Sequence, residues 1–118
     1  MDRAKILQLL RKSENHVVYF ALGETADHEP ALLLHEHKHG KALVNDLRHE
    51  TIGKRWVYGT VQVESEDGHD LAKFTVNKEN RWGQRLLQRA LKGTRYKRIE
   101  ISSQSGAEEE LEMDNSGL

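Results

Sequence analysis

Val17-Val18-Tyr19-Phe20 and Trp56-Val57-Tyr58-Gly59 decide the fold, because each opens the same succession: a polar turn, a second apolar stretch, then a helical pattern. Around the second of them, residues 55–64 alternate with the period of a strand. Val57, Val61 and Val63 share one side, and Trp56, Tyr58, Thr60 and Gln62 the other. Glu66-Asp67-Gly68 reads as a hairpin turn, since Asp-Gly accepts the backbone conformations that tight turns demand. Residues 71–77 alternate again, with Ala72, Phe74 and Val76 together. Asn80 can accept a bond from a free backbone N–H and so caps a helix. That helix carries Leu86, Leu87, Ala90 and Leu91 on one side, and Gly93 lies just past its end.

The first half follows the same order with weaker signals. Residues 17–22 are apolar on both sides, Val18, Phe20 and Leu22 against Val17, Tyr19 and Ala21, as in strands covered on both faces. Gly23 to Pro30 is a turn, residues 32–36 are its hairpin partner, and Leu43, Val44 and Leu47 give residues 41–49 a helical spacing. In front, Ile6 and Leu10 stand four apart in a short amphipathic helix over residues 3–12. Behind, residues 96–102 form a last strand with Ile99 and Ile101 inward. The expected fold is therefore α+β: an N-terminal helix, two ββα units and a final strand, forming an antiparallel sheet with helices on one face.

The chain's 118 residues suffice for one domain, and at 36% hydrophobic and 31% charged it has one modest core to build. No run approaches the roughly 18 apolar residues of a membrane span, and no cysteine is present to form a disulfide or a thiolate metal site. We expect a soluble, cytoplasmic protein with no membrane partner. Charge is unevenly spread. Residues 107–118 hold Glu108, Glu109, Glu110, Glu112 and Asp114 and no Lys or Arg. Setting those five aside leaves 14 acidic against 18 basic residues, so residues 1–106, the expected domain, carry a formal +4. The 107–118 segment reads as a disordered acidic tail, able to compete with a polyanion for a basic surface on its own domain.

Three constellations carry chemistry. Residues 78–98 hold eight basic side chains against Glu79 alone, with Arg81, Arg85 and Arg89 four apart on one helix face and Lys92 and Arg98 nearby. Such a stripe neutralises successive phosphates, and it equally describes the wet side of an amphipathic helix. The second is the aromatic sheet face with Trp56, Tyr58 and Tyr96, which must be covered by the N-terminal helix, a second copy or a ligand. The third, His35-Glu36-His37-Lys38-His39, matches H-E-x-x-H letter for letter. On a helix, His35 and His39 would hold zinc while Glu36 activated water. Against that reading, Gly40 follows at once and the ββα order makes residues 32–36 a strand.

Phosphate loops, dinucleotide fingerprints and serine elbows are missing from the sequence, so no cofactor is expected. The expected function is non-catalytic binding, with a protein partner or homodimer through the aromatic face placed first. Nucleic-acid binding by the 78–98 region, gated by the acidic tail, is the alternative. A zinc hydrolase through His35, Glu36 and His39 comes third.

Overall fold

A computed structural model describes residues 3–66 and 69–103. The chain runs α1 (Arg3–Arg11), β1 (Val18–Glu24), β2 (Pro30–His35), α2 (Gly40–Leu47), β3 (Val57–Glu66), β4 (His69–Val76), α3 (Arg81–Leu91) and β5 (Arg98–Ser103). This is the α+β class with the two ββα units in the expected order. Asp67-Gly68, at the expected hairpin turn, and the expected acidic tail with its boundary at residue 106 lie outside the described residues.

The five strands form one sheet in the order β2-β1-β3-β4-β5. The hairpins make β1–β2 and β3–β4 antiparallel, and β1 joins the two halves by pairing antiparallel with β3, Phe20 opposite Gly59. Only the last pair departs from the antiparallel expectation. α3 carries the chain back along the sheet, so β5 enters parallel to β4, with Leu71 opposite Arg98 and Val76 opposite Ser103.

Alternation then sorts the core into two layers. Val18, Phe20, Leu22, Leu32, Leu34, Val57, Val61, Phe74 and Val76 face α1 and α3, where they meet Ile6, Leu10, Leu86, Leu87 and Leu91. Ala21, Ala31 and Tyr58, with half-buried Tyr19, Leu33 and Trp56, face the other way and meet Leu43, Val44 and Leu47 of α2. The helices thus divide, α1 and α3 on one face and α2 on the opposite one, where a single helical face had been expected. The cause is in β1 and β2, which are apolar on both sides. Leaving either side wet forfeits about 1.5–3 kcal/mol per large side chain.

Local chemistry places each element. Asn80 Oδ1 accepts from Gly83 N at 2.5 Å and caps α3. At the end of α1, Asn15 takes the left-handed backbone (φ 65), and its N–H donates to Val63 O at 3.1 Å, tying the loop to β3. Tyr96, fully buried, donates from its hydroxyl to Glu14 at 2.6 Å, and Arg95 pairs with the same carboxylate and with Asp70 at 3.4 Å. Burial pushes the Tyr96 phenol pKa up, and the bond to Glu14 adds to it, so the hydroxyl stays a donor.

Gly40, the first residue of α2, lies directly on the Tyr58 ring, where an added Cβ would collide with Cδ2 and Cγ. The glycine sets how closely α2 approaches the sheet. Gly40→Ala is therefore expected to destabilise the fold by about 1–3 kcal/mol through overpacking. Urea unfolding should show a lowered midpoint at an unchanged slope.

Candidate functional site

α2 covers β1, β2 and only the first part of β3, and its flank leaves a groove at that end of the sheet. The groove measures about 1090 Å³. α2 supplies Lys41, Ala42, Val44 and Asn45, with Arg48 just beyond it. The approach to β3 supplies Lys54, Arg55, Trp56 and Tyr58. The turn after β4 and the start of α3 supply Asn77, Lys78, Asn80, Arg81 and Trp82. Two hairpin units and two helices meet here, because β3 and β4 run antiparallel with Gly59 opposite Val76.

The lining has one sign of charge. Lys41, Arg48, Lys54, Arg55, Lys78 and Arg81 line it, and among the described residues no Asp or Glu does. Several carboxylates outside the groove are held in ion pairs. Asp46 pairs with Lys38 at 2.7 Å, Glu64 with Lys73 at 3.0 Å, Glu24 with Arg89 at 3.8 Å, and Glu14 and Asp70 with Arg95. Clustered cations in a concavity raise the local concentration of anions well above that of the bulk.

The chain has two tryptophans, and both line this groove, half-buried. Trp56 is fixed by its Nε1–H, which donates to Thr51 Oγ1 at 3.1 Å. Trp82 stands at the second position of α3, with the Arg55 guanidinium carbon 5.9 Å from its ring centroid. At the floor, Asn77 is buried; its Oδ1 accepts from Tyr58 N at 3.3 Å, and its N–H donates to Tyr58 O at 2.8 Å. The walls are therefore built from ordered backbone, while the cations at the rim are on exposed or half-buried side chains.

The expected sites fare differently. The aromatic sheet face is not a free surface. Tyr58 is 6% exposed beneath α2, and Tyr96 is 0% exposed in the opposite core layer against α1 and α3. The cover on Tyr58 is α2, not the N-terminal helix; Trp56 and Tyr58 both line the groove, and Tyr96 does not. The basic stripe is split as well. Arg81 turns into the groove, whereas Arg89 donates to His28 O at 2.6 Å and pairs with Glu24 of the first hairpin. Arg85 and Lys92 are exposed on α3, and Arg98 is exposed on the side of β5 opposite Ile99 and Ile101. Lys41, Arg48, Lys54 and Arg55 were missed, because nothing along the chain signals that α2 and the loop before β3 converge on the start of α3.

The H-E-x-x-H segment is strand and turn. β2 ends at His35, α2 begins at Gly40, and His35 Nδ1 accepts the backbone N–H groups of His37 and Lys38, both at 3.0 Å. His35 and His39 therefore do not share a helix face, and the protease geometry is overturned. His39 instead lies with its ring centroid 4.5 Å from that of Tyr19. Glu36 is 3.7 Å from His16 and 3.8 Å from His37, contacts between exposed groups worth little. Among the described residues no cluster of three or more His, Asp or Glu is placed to hold a metal, and no helix is long and apolar enough to cross a membrane.

No protein-family model matches the chain, and neither a curated protein nor a solved structure shows significant similarity to it.

These placements separate scaffold from rim. Tyr58→Ala and Tyr96→Ala are expected to cost about 3–5 kcal/mol of stability as truncations of buried aromatics. Lys54→Ala and Arg55→Ala should stay within about 0.5 kcal/mol of the parent. Denaturant unfolding of the four variants checks the contrast.

Proposed function

We propose that this protein is a non-catalytic binding module that holds single-stranded nucleic acid in the groove between α2, the start of β3 and the start of α3. One observation carries the reading: among the described residues, six cations without a carboxylate converge where both tryptophans are half-buried. Lys and Arg at a rim neutralise phosphates and release their counterions. Flat indoles beside them offer stacking surfaces for unpaired bases, the combination that sequence-tolerant single-strand binding uses. The side-chain N–H groups of Asn45 and Asn80, whose oxygens accept from Arg48 and Gly83, add donors that can meet a base edge. A concave site favours a strand whose bases are splayed over a duplex, which presents only its convex backbone.

Support for a protein partner or homodimer is weaker, since that reading rested on a free aromatic sheet face and Tyr58 and Tyr96 are buried. The nucleic-acid reading also moves the contact from the outer stripe of α3 to the groove. It keeps Arg81 and replaces Arg85, Arg89 and Lys92 by Lys41, Arg48, Lys54, Arg55 and Lys78.

Titration with fluorescent oligonucleotides at several salt concentrations tests the proposal. Single strands should bind more tightly than duplex. Affinity should fall with salt, with a logarithmic slope no steeper than about −4 for six neutralised phosphates. Arg48→Ala, Lys54→Ala or Arg81→Ala should each flatten that slope by about 0.7, and Arg85→Ala should leave it unchanged. Trp82→Ala should weaken binding by about 1–3 kcal/mol. Salt-independent binding, or equal losses from Arg85→Ala and Arg81→Ala, would sink the proposal.

A further inference from the structure

The same groove has a second anionic ligand within reach on its own chain. β5 runs parallel to β4 and ends at Ser103, which stands opposite Val76. Neighbouring strands lie about 4.8 Å apart, so the chain leaves the sheet one strand's width from the β4 terminus. The two residues that follow Val76, Asn77 and Lys78, line the groove. Had β5 been antiparallel to β4, its end would lie at the far side of the sheet. The parallel pairing delivers it to the basic end.

Beyond Ser103 the sequence continues through residues 104–107 to Glu108, Glu109, Glu110, Glu112 and Asp114, five carboxylates within seven residues and no cation among them. Four intervening residues span up to about 14 Å, enough to bring Glu108 over Lys78 and the residues after it to the rim. The groove carries six cations and the segment five carboxylates, and so short a tether gives an effective concentration on the order of millimolar.

We infer that the acidic segment 107–118 docks in the basic groove of its own chain and must be displaced before an external polyanion enters. The docking rests only on the groove's charge and the course of β5, whereas the competition rests in addition on the nucleic-acid reading. Tryptophan emission reports on the docking alone, since Trp56 and Trp82 are the chain's whole tryptophan content and both line the groove.

The test compares the full chain with a full-length variant in which Glu108, Glu109, Glu110 and Glu112 are changed to Gln and Asp114 to Asn. Iodide is the probe, because an anion is drawn to an unoccupied basic groove. Without any oligonucleotide, the variant's Stern–Volmer constant should exceed the parent's by about threefold at low salt. The difference should vanish at high salt, and it should vanish when Arg55→Ala and Arg81→Ala are present in both chains. It should also be independent of protein concentration. Equal quenching in parent and variant overturns the docking, and a difference that grows with protein concentration overturns its intramolecular form. In a separate oligonucleotide titration, the neutralised variant should bind about tenfold more tightly. A quenching difference without oligonucleotide binding by either chain would uphold the docking and overturn the nucleic-acid reading.

Discussion

Everything in this structure depends on β1 and β2 having two apolar sides. Phe20 and Leu34 turn one way, Ala21 and Leu33 the other, and each set needs a cover. A single layer of helices would satisfy half of that demand. The connection from β2 therefore places α2 on the face opposite α1 and α3, and Gly40 brings it down onto Tyr58. β3 makes no such demand beyond Tyr58, and β4 brings only Leu71 as an apolar residue to that side. On the α2 side they present Thr60, Gln62, Glu64, Lys73 and Thr75, with Lys73 bonded to Glu64 at 3.0 Å, and that half of the face remains polar. The step from a two-sided to a one-sided sheet is where the groove forms.

Like charge at the groove costs the fold something, because six cations repel one another across a concavity. The remaining ion pairs show how that cost is confined. Arg95, Glu14, Asp70 and the Tyr96 hydroxyl form one connected network that fastens the end of α1 to the start of β5. Arg89 and Glu24 fasten α3 to the first hairpin. Some carboxylates thus hold joints between elements, and among the described residues the groove is lined by cations without Asp or Glu.

Much of the fold was legible along the chain. Strand period in residues 55–64 and 71–77, the Asn80 cap and the helical spacing of Leu86, Leu87, Ala90 and Leu91 all reflect local rules that the tertiary structure did not override. The two-sidedness of residues 17–22 even contained the layer arrangement, but the simpler rule of one helical face points elsewhere. The site was much less legible. Arg81 and Trp56 could be picked out as a basic and an aromatic residue, yet their meeting depends on β1 pairing with β3 and on α2 crossing to the second face. Those are long-range facts without a local signature. Tyr96 misled for the same reason: its alternation along the strand does not reveal that it precedes β5 and turns into the core to meet Glu14. The H-E-x-x-H match failed because a spacing of four residues brings two histidines together only on a helix.

The parallel entry of β5 has one more consequence, for how the molecule opens. β5 is the terminal strand of the sheet. It is last in order among the described residues, and of its side chains Ile99 and Ile101, both partly buried, pack against the core. A strand with so little apolar burial is expected to open before the interior strands do. The opening has a natural stop at Tyr96, which is fully buried and hydrogen-bonded to Glu14. The sheet thus ends in a strand of six residues held along its length by the β4 ladder and anchored just before its start by the buried Tyr96 and its bond to Glu14.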